Sequence, residues 1–211
     1  MQHHVHTNND KAAADTKSVL PATDWTSEPQ QIETSAVTSG GGPTAAEEKA
    51  ALKAKFISGM GRVAAPVSIV ATDGPAGRAG VTISAMSSVS ADGDRPTLMI
   101  CLNQSSRTCQ ALEKNRHFTL NVLNARKHIP IADAFAGRFG TYLPDKFAMG
   151  DWKTSHFGIP ELNEATAVFH CQVSFTQIVG THMLIIAEVD EVSEAEGARA
   201  LVYCSREYRC P

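Results

Sequence analysis

Two clusters of polar side chains interrupt otherwise apolar stretches of this chain, and both could bind a ligand. In the first, within residues 80–90, Ser87 points to one face of an extended strand unless a bulge intervenes. Four other hydroxyls share the opposite face: Thr82, Ser84, Ser88 and Ser90. Such a row lets a flat ring approach the backbone closely and offers hydrogen-bond partners along its edge. A solvent-facing Ser/Thr strand explains the same pattern equally well.

The second cluster lies where a strand ending at Leu102 gives way to a helix, for which Ser105 or Ser106 is a good N-cap. Its polar side chains are Asn103, Ser105, Ser106, Arg107 and Thr108. Unpaired backbone N–H groups and the helix dipole both favour an anion at a helix N-terminus. Ordinary capping needs only one serine, so the surplus of donors favours a phosphate site over a simple cap.

Together the two clusters suggest a flat ring along one strand, with its phosphate at the next strand–helix junction, and a flavin fits both. The sequence lacks the two common phosphate-binding motifs of nucleotide-binding proteins, G-x-G-x-x-G after a strand and Walker A. It also lacks G-x-S-x-G and H-E-x-x-H. The five cysteines have no metal-ligand spacing, so we expect free thiols and no metal site.

Composition narrows the function classes further. The 211 residues carry a net charge of −3, which argues against a nucleic-acid binder because such proteins show a basic stripe. No stretch approaches the roughly 18 apolar residues that a membrane span needs. The first ten residues do not resemble a secretory signal, so a cytoplasmic location is the default expectation.

The domain is predicted to begin near residue 44. Residues 1–43 are poor in large apolar side chains and are interpreted as a disordered leader, which a Gly-Gly-Gly-Pro break ends. Thr44 and Glu47 have the capping-box spacing of a helix start. We expect this helix to run to about Gly61 and to lie on the domain through the apolar residues Leu52, Phe56 and Met60.

The rest of the chain is mostly β in pattern. Strands are predicted at residues 67–72, 81–90, 97–102, 117–123, 168–175, 182–189 and 200–204, and short helices near residues 106–115 and 128–136. In residues 168–175 apolar and polar side chains alternate, which is typical of a strand buried on one face only. So many strands with so few helices favour a closed or nearly closed antiparallel barrel at residues 44–211.

From about Phe56 to Arg209 the sequence resembles the flavin reductase-like family, whose members have an FMN-binding split barrel. The motifs that carry the resemblance are Thr82-x-Ser84-x-x-Ser87-Ser88-Val89-Ser90, Cys101-Leu-Asn-x-Ser-Ser-x-Thr108, Phe118-x-Leu-Asn-Val-Leu123, Phe135-Ala-Gly-Arg138, Asp145-Lys-Phe147, Gly180-Thr-His182 and Tyr203…Tyr208-Arg209. Residues 59–80 are especially similar to the flavin reductases of bacterial pyrimidine degradation. The turn at residues 91–96 is longer than is usual in the family.

The resemblance implies a mainly β, antiparallel split β-barrel with a few short helices, and a homodimer. It also implies hydride transfer from NADH, or NADPH, to FMN or FAD, and delivery of reduced flavin to a flavin-dependent monooxygenase. The cofactors supply this chemistry, so no acid–base residue is required.

The resemblance also assigns roles to residues. Thr82, Ser84, Ser87 and Ser88 would stabilise the charge that reduction leaves on the flavin, and Asn103, Ser105, Ser106 and Thr108 would hold its phosphate. Arg138 and Lys146 would reach that phosphate or the partner chain. His182 would contact the nicotinamide, which Arg206 and Tyr208 would cover.

Two alternatives to a reductase with diffusible flavin remain open from the sequence. The first is a non-enzymatic split-barrel protein that binds flavin or haem. The second is a split-barrel oxidase with FMN as a fixed prosthetic group.

Overall fold

The computed structural model describes residues 42–211. The interpretation of residues 1–43 as a leader therefore falls almost entirely outside the described residues. Within residues 42–211 there are three α-helices: α1 (Ala45–Met60), α2 (Arg107–Asn115) and α3 (Ile129–Phe135). The strands are β1 (Ala65–Pro66), β2 (Ser68–Thr72), β3 (Ala79–Ile83), β4 (Met86–Ser90), β5 (Thr97–Asn103), β6 (His117–Val122), β7 (Trp152–Thr154), β8 (Pro160–Leu162), β9 (Ala167–Val179), β10 (His182–Glu194), β11 (Val202–Cys204) and β12 (Glu207–Arg209).

Seven strands form one antiparallel sheet in the order β3-β2-β6-β9-β10-β5-β4. Its two edge strands, β3 and β4, are consecutive in the chain and are joined only by Ser84 and Ala85. The Cys101 N–H donates to the Ala85 carbonyl at 3.1 Å. The two-residue link is therefore already hydrogen-bonded to β5, the neighbour of the edge strand β4. Two edges joined by so short a link must come together, and the sheet therefore curls into the predicted mainly β barrel.

The chain crosses from one sheet edge to the other within residues 81–90, and this corrects the single strand predicted there. The hydroxyls of that segment do not share one face, because the regular alternation stops at Ser84 and Ala85. Thr82 lies on β3 and pairs towards β2, whereas Ser87 and Ser88 lie on β4 and pair with β5.

Two apolar cores lie on the two sides of the curled sheet. One fills the barrel around Ile100, Phe118 and Ile185. The other packs α3 and the β7–β8 hairpin against the outer face of β2. All five residues of β2 are buried, since this strand lies between the two cores.

Strand β9 does not keep the one-sided burial that its alternation predicts. His170 is only 3% exposed, because the β7–β8 hairpin covers it and the Glu161 carboxylate lies 3.2 Å from its Nε2. Phe175 is 54% exposed, because the second half of β9 extends beyond the packed barrel. The predicted burial on one face of residues 168–175 is therefore wrong at His170, which is buried, and at Phe175, which is exposed.

Helix α1 begins as predicted, with the capping box of Thr44 and Glu47 formed on both sides. It also ends close to the predicted residue, and the Ser205 N–H donates to the Gly61 carbonyl just beyond it at 2.7 Å. Within one chain, no residue of α1 is buried, so the expectation that this helix lies on the domain is wrong. Leu52 and Phe56 are 70% and 66% exposed.

Candidate functional site

A cleft of about 530 Å³ opens at the N-terminus of α2. Three segments line it. Residues 78–81 end the loop before β3 and begin that strand, residues 106–108 lie at the start of α2, and residues 144–147 form the third segment. The structure thus brings Ser106 and Thr108 together with Lys146, which lies far away in sequence. Thr108 is 3% exposed and still lines the cleft.

The start of α2 has the backbone geometry of an N-cap. The Ser106 hydroxyl accepts the Cys109 N–H at 3.1 Å, which leaves its own proton free to be donated. Asn103 and Ser105 belong to the turn before the helix, where the Asn103 Oδ1 accepts bonds from the Ser105 N–H and hydroxyl at 2.9 and 2.8 Å. The predicted phosphate residues are therefore contiguous, but Asn103 and Ser105 do not line the cleft.

Positive charge collects around this cleft. Burial lowers the pKa of Lys146, whose Nζ donates to the Phe135 carbonyl at 3.2 Å. No ion pair within residues 42–211 involves Lys146. Arg78, which sequence reasoning missed, pairs with Asp145 at 3.0 Å and lies over the Phe147 ring at 4.6 Å from its centroid. A partly buried ammonium without a carboxylate partner, beside a helix N-terminus, fits a phosphate group.

The second group of predicted residues lines a smaller pocket of about 150 Å³, formed by Val67, Thr82, Ile83, Ser84, Arg138, Tyr203 and Tyr208. The Thr82 hydroxyl donates to the Ala132 carbonyl at 2.7 Å, and Asp133 accepts a bond from the Tyr208 hydroxyl at 3.1 Å. Burial and this bond raise the pKa of Tyr208 to about 12. Sequence reasoning missed Asp133, which carries no motif of its own and is identified only by these contacts.

His182 opens β10 directly opposite Asn103 of β5. It is exposed, and its Nδ1 lies 3.0 Å from the Thr181 hydroxyl. The Gln104 side chain donates to the Gly180 carbonyl at 3.0 Å and holds the two turns together. The predicted nicotinamide residue thus lies at the same sheet end as the start of α2.

Three further predicted residues lie apart from both pockets within one chain. Ser88 lines an apolar groove of about 260 Å³ with Phe169 and Val192. Arg206 lies in the tight turn between β11 and β12 with φ of 64°, next to Arg62 at the end of α1. Ser87 is exposed on β4 and lines neither pocket.

Within residues 42–211, no group of three or more His, Cys, Asp or Glu side chains could hold a metal ion. In the same range, no helix has the length and apolar character to cross a membrane.

The family described as the flavin reductase like domain matches residues 60–210. A protein described as FMN reductase (NADH) RutF, from Ancylobacter novellus, is 40% identical over 164 residues, which cover 78% of this chain and 88% of that protein.

Solved structures that are similar to this chain include the following two. Nitrilotriacetate monooxygenase component B from Mycobacterium thermoresistibile has a TM-score of 0.69 and 25% identity, covering 77% of this chain and 88% of that one. The flavin reductase of styrene monooxygenase from Pseudomonas putida S12 has a TM-score of 0.65, with 24% identity over 74% of this chain and 97% of that one. These structures confirm the predicted split-barrel fold. Because the family match extends over nearly all of the barrel, the chain belongs to the flavin reductase-like domain family.

Proposed function

We propose that this chain is a flavin reductase that transfers hydride from NADH to FMN and releases the reduced flavin to a partner monooxygenase. The observation that carries the proposal is the cleft at the start of α2, where Ser106, Thr108 and Lys146 meet. The relative named FMN reductase (NADH) supports the same reaction and the same two cofactors.

The cleft fits the phosphate end of FMN by its chemistry. The free N–H groups of α2, the Ser106 proton and the Thr108 hydroxyl are donors, and Lys146 supplies a positive charge. Arg78 adds a second cation, although Asp145 already pairs with it. The proposed reaction requires no proton transfer by these side chains, because the nicotinamide and the flavin supply the hydride chemistry.

The remaining residues are assigned by their position relative to this anchor. Thr82, Ser84 and Arg138 form the wall on which the flavin ring system would lie. Tyr208, which the family resemblance assigned to the nicotinamide, lies on the same wall. His182, opposite Asn103, would orient the nicotinamide. Arg206 would reach the site only from a second subunit, because within one chain it lies beside α1.

The functional unit is proposed to be a homodimer. Support comes from large apolar side chains that one chain leaves in solvent: Leu52, Phe56, Ile57 and Met60 on α1, and Phe175, Ile178 and Val179 on β9. Large apolar side chains clustered in solvent on one helix or strand are typical of an interaction site. All five cysteines are free, which fits the proposed cytoplasmic location because the cytosol is reducing.

The test is NADH oxidation by the purified full chain, measured with increasing free FMN. We expect turnover to rise with FMN and to saturate, because the flavin acts as a diffusible substrate. Turnover that is independent of added flavin would identify a fixed prosthetic group instead. Flavin or haem binding without turnover would identify a non-enzymatic binding protein.

Parallel measurements with FAD in place of FMN, and with NADPH in place of NADH, rank the cofactors. We expect FMN and NADH to give the highest kcat/KM. A preference of more than about tenfold for another pair would contradict this assignment.

A further inference from the structure

Helix α3 contacts predicted cofactor residues that come from separate parts of the chain. The Ala132 carbonyl accepts the Thr82 hydroxyl at 2.7 Å. The Phe135 carbonyl accepts the Lys146 ammonium at 3.2 Å. This one short helix therefore touches both the wall of the smaller pocket and the cleft at α2.

Asp133, between these two carbonyls, holds two further predicted residues through its side chain. Its Oδ1 accepts a hydrogen bond from the Tyr208 hydroxyl at 3.1 Å and forms an ion pair with the Arg138 guanidinium at 2.8 Å. The guanidinium also lies over the Tyr208 ring, 5.3 Å from its centroid. The Asp133 side chain is only 25% exposed, so this shared carboxylate is partly shielded from water.

We propose that Asp133 is a positioning residue for flavin binding, which fixes Arg138 and Tyr208 against the Thr82 wall and acts only through them. This inference rests on the proposed function. Arginine has many rotamers, and fixing it only when a ligand binds would lower the affinity. A carboxylate that holds the guanidinium and the phenol in advance removes that cost, and it leaves the other guanidinium N–H groups free to meet the flavin.

The test compares Asp133→Asn with the wild type, and uses Asp92→Asn, in an exposed turn, as the matched control. The dissociation constant for FMN is measured by quenching of flavin fluorescence, together with kcat at saturating FMN and NADH. We expect Asp133→Asn to raise the dissociation constant about tenfold and to leave kcat within about twofold, since the amide keeps an oxygen acceptor but removes the negative charge that strengthens both contacts. Asp92→Asn should change neither quantity, and Asp133→Glu should restore part of the affinity.

A second comparison shows whether Asp133 acts through its two partners. In an Arg138→Ala/Tyr208→Phe background, Asp133→Asn should add no further loss of affinity, because coupled residues are not additive. Absorbance of tyrosinate supplies a direct readout, since loss of the carboxylate should bring the pKa of Tyr208 down from about 12 towards its ordinary value of 10.

An Asp133→Asn variant that melts earlier but binds FMN like the wild type would make Asp133 a purely structural contact and overturn the inference. A further loss of affinity in the double-variant background would overturn it as well. Wild-type protein that neither binds nor reduces FMN would contradict the proposed function itself, and the two failures are therefore distinguishable.

Discussion

Single side chains at the two ends of the proposed site should have separable effects on catalysis. Ser106→Ala and Thr108→Val each remove one hydroxyl from the α2 cleft, and valine keeps the volume of the buried threonine. We expect each to weaken FMN binding by about 1–3 kcal/mol, or roughly 5- to 150-fold, because a bond to a charged phosphate is lost. The rate at saturating FMN should hardly change. Titration of flavin fluorescence measures the first quantity, and NADH oxidation the second.

Ser174→Ala is the control for these variants, because its hydroxyl lies on the exposed side of β9 and bonds only to the Ile186 carbonyl. Ser106→Ala also removes the N-cap of α2, so thermal unfolding should be followed in parallel. Normal FMN affinity in Thr108→Val would place the phosphate elsewhere.

His182→Ala should have the opposite effect. We expect FMN affinity to stay within a few-fold, and either kcat to fall or the KM for NADH to rise, because positioning of the nicotinamide is lost. Steady-state kinetics over a full range of NADH concentrations distinguishes these cases. Full rates at every NADH concentration would make His182 a residue without a role in the reaction.

Gly80 allows β3 to pack closely against an aromatic cluster. A Cβ at this position would lie 2.6 Å from the Phe135 ring and 3.1 Å from the Phe147 ring. Phe135 is fully buried and cannot move aside without disturbing the core. We expect Gly80→Ala to lower the free energy of unfolding by about 1–3 kcal/mol, measured by urea denaturation.

Gly59→Ala is the matched control, since it lies in α1 with no atom within 4 Å of the added methyl group. Alanine should stabilise this helix by up to about 1 kcal/mol, because glycine is a poor helix former. Equal effects of the two substitutions would contradict the close packing of β3 on Phe135.

The turn that begins α3 depends on a neutral histidine. His128 is buried, and its Nδ1 accepts the Asn124 N–H at 3.1 Å. Burial lowers the pKa of His128 below its ordinary value of 6.5. In the unfolded chain the imidazole binds a proton more readily, so stability is present above about pH 6.5 and is lost as the pH falls below it.

His128→Asn should remove this part of the pH dependence, because the amide oxygen can accept the same N–H and does not titrate. Urea midpoints of both proteins at about pH 7.5 and about pH 5.5 bracket the transition. We expect the wild type to lose more stability on acidification than the variant. Identical losses would show that His128 does not contribute.

The exposed apolar face of α1 predicts that two copies of the chain associate. We expect the full chain to be a dimer by light scattering. Leu52→Ser/Phe56→Ser should raise the dimer dissociation constant at least about tenfold, since two large apolar side chains would no longer be buried at the interface. Lys53→Ser, on the same helix, should leave association unchanged. A monomer that binds FMN tightly would contradict the homodimer.

Local signals in the sequence were sufficient for much of the fold. The capping box at Thr44 marked the start of α1, and the pair Ser105 and Ser106 marked the start of α2 to within one residue. Runs of apolar residues located most strands of the barrel. The same local reasoning placed Ser106 and Thr108 at a helix N-terminus. These features depend on neighbours within one or two turns of chain, and a single sequence contains that information.

Which residues share a pocket depends on contacts between distant parts of the chain. Ser88 leaves the face of Thr82 because the chain crosses between sheet edges at Ser84 and Ala85. His170 is buried because a distant hairpin covers it, and Asp133 matters because Arg138 and Tyr208 converge on it. Periodicity reports the faces of one strand or helix, whereas these contacts depend on how segments far apart in sequence pair and pack.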